Sequence, residues 1–190
     1  VNFAQDKAKE HNVDITCYQG DARDLSHLPL KTYDSVLVMG PMYHIQNEED
    51  RKKCILEAKR LLKPDGHLFV SFILLHAGLN YYIDECPEQI VNEIEDSYLE
   101  ALKKDQTWSG KAFTESTFIK PNEIEPFFDK LGFEKITMFG QEGVTGVRMS
   151  FIENQSNEVR KIYLDLSLAL CENPDYFPYT SHLVYVGKQK

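Results

Sequence analysis

Val36 to Ile45 reads VLVMGPMYHI: an apolar run that stops at Gly40-Pro41 and is followed at once by Tyr43 and His44. Val36 to Met39 are apolar without a break, which suggests a strand from Tyr33 to Gly40 buried on both faces, as in a parallel sheet. Beyond it, Cys54, Ile55, Ala58, Leu61 and Leu62 recur at helical spacing while Arg51, Lys52, Glu57, Lys59 and Arg60 point elsewhere. Asn47 is placed to cap that helix. Pro64-Asp65-Gly66 supplies a turn, and HLFVSFIL, residues 67 to 74, reads as a second buried strand. Residues 33 to 74 are therefore strand, helix, strand with short links, a crossover that should be right-handed.

Upstream, VNFAQDKAKEH (residues 1 to 11) places Phe3, Ala4 and Ala8 on one helical face, and DITCYQ (Asp14 to Gln19) reads as a short strand closed by Gly20-Asp21. The alternation makes an open α/β sheet, in which ligands sit at the carboxyl ends of the strands. Those ends are Gly20-Asp21, Gly40 to His44, and Ile73 to His76.

From Ala77 the pattern changes. Pro87 opens an acidic helix with Ile90, Ile94, Tyr98 and Leu102 on one face, and Trp108 lies just beyond. Residues 77 to 118 read as a helical insertion over the sheet, either a lid or an extra packing element. Pro121 to Leu131 is a short helix closed by Gly132, with Pro126 either delaying its start or kinking it. Phe133 to Phe139 is a strand. Val159, Ile162, Tyr163, Leu166, Ala169 and Leu170 mark an amphipathic helix ending before Pro174, and His182 to Val186 is the last strand.

The 190 residues fit one domain, 1 to 190, with a hydrophobic fraction of 42% and a charged fraction of 27%, as in soluble globular proteins. No apolar run reaches the length of a membrane span and no signal peptide precedes the first helix, so a cytoplasmic location is expected. The net charge is −9 and the longest basic run is Arg51 to Lys53, which disfavours a sequence-independent grip on nucleic acid. Four scattered cysteines without a CxxC pair, and six histidines without HxxxH or HExxH spacing, suggest reduced thiols and no metal.

In order and spacing, several segments together resemble the class I S-adenosylmethionine (SAM)-dependent methyltransferases. GPMYHI (Gly40 to Ile45) is similar to a GPLYHL stretch at the end of the fourth strand in bacterial members. GDARDL (Gly20 to Leu25) is similar to the segment after their third strand, and EAKRLLKPDGHLFVS (Glu57 to Ser71) to their LKPGG helix, turn and fifth strand. LGFE (Leu131 to Glu134), FGQEG (Phe139 to Gly143) and HLVYVG (His182 to Gly187) continue the resemblance through the C-terminal half. It implies a doubly wound, Rossmann-like sheet with the insertion after the fifth family strand. Because the chain starts with Val1 inside a helical pattern, the expectation is an N-terminally truncated version, with the family's first strand and glycine-rich loop upstream.

The resemblance implies SAM as cofactor and a small-molecule methyl acceptor, with the protein acting as a monomer or homodimer. It places Asp21 and Ala22 at the adenine, with Gly20 also among the cofactor-binding residues, and the Asp21 carboxylate would accept from the exocyclic amine; alternatively Asp21 is a turn residue capping nearby amides. Gly40 would lie beside the methionine end, with Met39 a further cofactor-binding candidate. Tyr43 and His44 follow the strand end nearest the transferring methyl and are the catalytic candidates. A histidine of ordinary pKa, about 6.5, can take a proton near neutral pH; the alternative is a structural histidine bonding a loop carbonyl. Tyr43 suits a wall or an orienting hydroxyl. Tyr81, Tyr82 and, more weakly, His76 are candidates for the acceptor site, with core packing as their alternative and the favoured reading for Trp108. Two rival functions stand beside methyl transfer: a non-catalytic binding or regulatory module of the same fold, and a nucleotide-dependent oxidoreductase on a related sheet.

Overall fold

A computed structural model describes residues 1–190 apart from the side chains of Ile94 and Val147. In chain order the elements are α1 (Asn2–Glu10), β1 (Tyr33–Val38), α2 (Pro41–His44), α3 (Glu48–Leu61), β2 (Leu62–Leu74), α4 (Ala77–Glu85), α5 (Asp96–Lys103), β3 (Trp108–Lys111), β4 (Glu115–Ile119), α6 (Pro121–Lys130), β5 (Phe133–Gly140), α7 (Met149–Glu153), α8 (Asn157–Leu170) and β6 (His182–Gln189).

Among the described residues, six strands form one sheet with β2 at its centre. β1 runs parallel to β2 on one edge, with Val36 opposite Leu68 and Val38 opposite Val70. Further along that edge, β4 meets β2 in parallel at Ile73 and Leu74. On the other edge β6 is antiparallel to β2, and β5 is antiparallel to β6. The strand–helix–strand unit expected from VLVMGPMYHI is present. Its turn is a loop within β2: Tyr33 pairs with Leu62 and Ser35 with His67, so Lys63 to Gly66 are looped out of the ladder. Asn47 caps α3 as expected, its side chain accepting from the Asp50 amide at 3.1 Å.

Four expectations are corrected. Asp14 to Gln19 form no strand; β1 is paired only with β2 there, Ile15 and Tyr18 are 43% and 61% exposed, and β-propensity without a ladder partner does not make a strand. β1 is not buried on both faces: Val38 is buried and Leu37 is 63% exposed, because β1 lies at an edge. The single helix expected from Pro87 to Leu102 is broken into two 3₁₀ turns, Pro87–Val91 and Glu93–Glu95, before α5. Of the face expected there, the side chain of Ile94 lies outside the described residues. The insertion is also not wholly helical, since β3 and β4 form an antiparallel hairpin that joins the sheet.

Two apolar clusters flank the sheet. The larger joins Val38, Met42, Cys54, Ile55 and Ala58 to Ile124, Phe128, Leu183 and Tyr185 through the centre of β2. Phe128 stacks on Tyr185 at 3.9 Å between ring centroids. Its α6 runs unbroken from Pro121, a favourable first position, through Pro126. The smaller cluster is Ile73, Leu75, Ala77, Tyr98, Trp108 and Phe118, which binds α4, α5 and the hairpin to the carboxyl end of β2. α8 forms as expected but presents Ile162, Leu164, Leu166 and Leu168 to the outside.

Candidate active site

The chain leaves β1 through Gly40, whose φ of 132° is a conformation that side chains strain to adopt. No atom lies within 4 Å of where its Cβ would stand, so the space above the strand end is open. Pro41 then starts the single turn α2, with Tyr43 and His44 amides donating to the Gly40 carbonyl at 3.1 and 3.2 Å. A buried arginine fixes the chain beyond this turn: Arg51 Nη1 donates to the carbonyls of Ile45 (2.9 Å) and Gln46 (2.7 Å). Gln46 Nε2 reaches across to Gly110 O (2.8 Å) and Glu115 Oε2 (2.5 Å), so the turn is clamped against the β3–β4 hairpin.

α2 stands between two hollows. One is an open groove of about 720 Å³ whose lining includes Gly20, Asp21, Ala22, His44, Asn47 and Asp50. In it, Asp21 Oδ1 accepts from the Arg23 amide at 2.9 Å and Oδ2 from Arg23 Nη2 at 2.6 Å; these bonds hold the Asp21 carboxyl at about 2. The capping role weighed for Asp21 is thus present, and its pairing with Arg23 sits within the groove. Arg23 also donates to Asp50 Oδ2 at 2.8 Å, tying the loop to α3.

The other hollow is an aromatic cavity of about 620 Å³, with Tyr81, Tyr82, Trp108, Phe113, Phe118 and His182 in its wall. Its far side is braced by hydrogen bonds. The Tyr98 hydroxyl accepts from the Leu79 amide and donates to the Leu75 carbonyl, both at 2.7 Å, and Trp108 Nε1 donates to Ser97 Oγ at 3.1 Å. Burial pushes the Tyr82 and Tyr98 hydroxyls upward, so both stay protonated.

Rings join the two hollows across α2. Tyr43 lies edge-on to His44 (centroids 4.8 Å) and to His182 (5.8 Å), and His44 lies edge-on to Phe113 (5.9 Å). His44 Nδ1 faces the Glu115 carbonyl at 3.2 Å, so that nitrogen carries a proton. The loop-carbonyl bond weighed for His44 is therefore made, and it leaves Nε2 available. Tyr81 and Tyr82 both line the cavity. His76 does not: its Nε2 donates to the carbonyls of Phe177 (3.1 Å) and Thr180 (3.0 Å), and burial lowers its pKa against those two bonds. Met39 is 45% exposed at the strand end, outside both hollows.

Sequence reasoning did not single out Glu142 or His182. Glu142 lies just after the end of β5 and His182 opens β6, and the register Gly140 opposite Leu183 brings them together. Glu142 Oε1 accepts from His182 Nδ1 at 2.5 Å; Oε2 accepts from the amides of Ser181 (3.1 Å) and His182 (3.0 Å) and from the Thr180 hydroxyl. Burial alone would raise the Glu142 pKa, but these bonds outweigh it and bring the carboxyl to about 2. The available signal was the pairing of FGQEG with a histidine that opens the neighbouring antiparallel strand.

Residues 1–70 match the family model described as "Methyltransferase domain". Across the whole length, the structure is similar to a protein from Pyrococcus horikoshii (TM-score 0.57, 19% identity, 100% of this chain and 66% of that one). It is also similar to an S-adenosylmethionine-dependent methyltransferase from Clostridium acetobutylicum (TM-score 0.56, 10% identity, 99% and 70%). This chain has the fold of the class I SAM-dependent methyltransferases. A third protein sharing that methyltransferase fold is the Burkholderia thailandensis 1,6-didemethyltoxoflavin-N1-methyltransferase, solved with bound 1,6-didemethyltoxoflavin and S-adenosylhomocysteine (TM-score 0.51, 10% identity, 98% and 56%). The chain spans 66%, 70% and 56% of the length of these three proteins. No curated protein matches it in sequence.

Proposed function

We propose that the protein is an enzyme that transfers a methyl group from SAM to a small-molecule acceptor held in the aromatic cavity. The observation that carries this reading is α2 itself: one turn, at the carboxyl end of β1, that lines the polar groove with Pro41 and His44 and contacts two wall residues of the aromatic cavity, His182 through Tyr43 and Phe113 through His44. The open space beside Gly40 and the groove beside Asp21 and Ala22 fit a nucleoside joined to an amino-acid tail. Asp21 and Ala22 would hold the adenine, and Gly40 the methionine end.

When bound, SAM supplies the electrophilic methyl; the chain's residues supply alignment and the exclusion of water. Alignment of two reactants in a fixed site is worth roughly 7–11 kcal/mol of barrier. The aromatic wall gives a flat, apolar body a defined plane, with Tyr43 edge-on to His182 behind it. A small molecule suits a cavity of about 620 Å³ with a few convergent polar groups. An acidic net charge of −9 without a basic stripe argues against a nucleic-acid acceptor.

Calorimetric titration of the full-length protein with S-adenosylhomocysteine tests this. The expected result is saturable binding that Asp21→Ala weakens. Absence of binding at millimolar ligand overturns the reading.

A further inference from the structure

The Glu142–His182 pair has the form of a proton-accepting device, and it opens on the aromatic cavity. An ionised carboxylate only accepts hydrogen bonds, so the 2.5 Å contact with Glu142 Oε1 requires the proton to sit on His182 Nδ1. Neutral His182 then carries its lone pair on Nε2, and among the described residues that nitrogen makes no hydrogen bond. His182 lines the cavity and its side chain is 31% exposed, so the lone pair is within reach of a bound molecule. Glu142 is fully engaged: two backbone amides, the Thr180 hydroxyl and His182 saturate it, fixing the ring's rotation as well as its tautomer.

We propose that His182 is the general base of this site, positioned by Glu142, and that the acceptor is an aromatic hydroxyl compound; the proposal rests on the methyl-transfer reading. Three observations select that class. The cavity wall is built from rings, which hold a flat aromatic body edge-on or offset. A phenolic hydroxyl has an ordinary pKa of about 10, within reach of an imidazole base, as an aliphatic alcohol's is not. Lys111 also lines the cavity and favours the anion that forms, offsetting Glu95 on the same wall.

In the step, the phenolic O–H bond breaks and its proton goes to His182 Nε2. The electron pair left on oxygen forms the new O–CH₃ bond as the C–S bond of the sulfonium breaks, and that bond's electron pair returns to sulfur. The imidazolium is stabilised by Glu142 until it releases its proton to water. His44 sits on the groove side of α2, with Tyr43 between it and His182, and is left to line the cofactor groove.

The groups that face His182 are Glu142 from the turn after β5, Tyr43 from α2, and Tyr81, Tyr82, Glu95 and Lys111 across the cavity. A cofactor-free test uses 4-nitrophenol, whose anion absorbs differently from its neutral form. Full-length wild type should bind it as the anion at pH values where the free probe is still protonated. His182→Asn should abolish that spectral shift and weaken binding about tenfold or more; Glu142→Gln should move the shift to higher pH; His44→Asn should leave it unchanged. Nitrogen-detected NMR of the imidazoles should show His182 protonated at Nδ1 in the neutral form. Failure to bind the probe at millimolar concentration, the same shift in His182→Asn as in wild type, or a proton on Nε2 in the neutral form overturns the proposal. A thermal melt of each variant separates these results from misfolding, and binding of the probe without binding of S-adenosylhomocysteine would sink the methyl-transfer reading alone.

Discussion

The two hollows on either side of α2 are built by different physics. The aromatic cavity is an outgrowth of a core: Trp108 and Phe118 are 7% and 6% exposed, and Tyr98, at 2%, holds the segment from Leu75 to Leu79 with its hydroxyl. The groove is bounded by an exposed loop held by charge, in which Arg23 bridges Asp21 and Asp50 at the surface. Packed aromatic rings set a shape before any ligand arrives, whereas exposed ion pairs set one weakly and are screened by salt. The aromatic cavity is therefore preorganised, whereas the shape of the groove is held only by exposed charges.

The largest test of that contrast is Trp108→Ala. The indole packs against Tyr98 and Phe118, with centroids 5.5 and 5.2 Å away, and its removal leaves a void in the wall. Loss of a buried Trp costs about 3–5 kcal/mol, so the free energy of urea unfolding should fall by that amount. A loss under about 1 kcal/mol would mean that the cavity is not part of the core.

A second test is gated by acid. The Glu142 carboxyl, at about 2 in the fold against an ordinary 4.5, favours the folded state wherever it is ionised. Its contribution is complete above about 4.5 and drains away as pH falls toward 2. Urea midpoints of wild type should therefore fall across that window more steeply than those of Glu142→Gln. Parallel curves would show that the His182 and Thr180 contacts do not bias the carboxyl.

How much of this was legible in the sequence divides along the same line. The run VLVMGPMYHI, the caps and periodicity of α3, and the breaker at Pro64–Gly66 are local signals, and the unit around β1, α3 and β2 came from them. Residues 14–19 and 87–102 have local patterns too, but a strand needs a neighbour and a helix needs unbroken backbone bonds, and neither requirement is written in periodicity. The same limit hid half of the candidate site. Tyr43, His44, Tyr81 and Tyr82 sit near obvious strand ends or in an aromatic cluster, so they could be named. Glu142 and His182 are 40 residues apart and meet only through the antiparallel register of β5 and β6. His76 shows the converse: it stands at a strand end like a site residue, yet folding commits its Nε2 to the carbonyls of Phe177 and Thr180.

The smallest expected effect on stability lies in the groove, and it carries the comparison furthest. Arg23 and Asp21 have side chains 42% and 50% exposed, so solvent screens their ion pair and it adds little to folding. Arg23→Ala should leave the urea midpoint close to wild type. Binding is another matter, because a ligand that needs the loop in one place must order it once the bridge from Asp21 to Asp50 is gone. Affinity for S-adenosylhomocysteine should then fall about tenfold, equivalent to about 1.4 kcal/mol, with aromatic-probe binding in the cavity unchanged. Trp108→Ala should invert that ranking, costing stability and probe binding while sparing the groove. If Arg23→Ala instead destabilises the fold as much as Trp108→Ala does, the groove loop is part of the core and the division drawn at α2 is wrong.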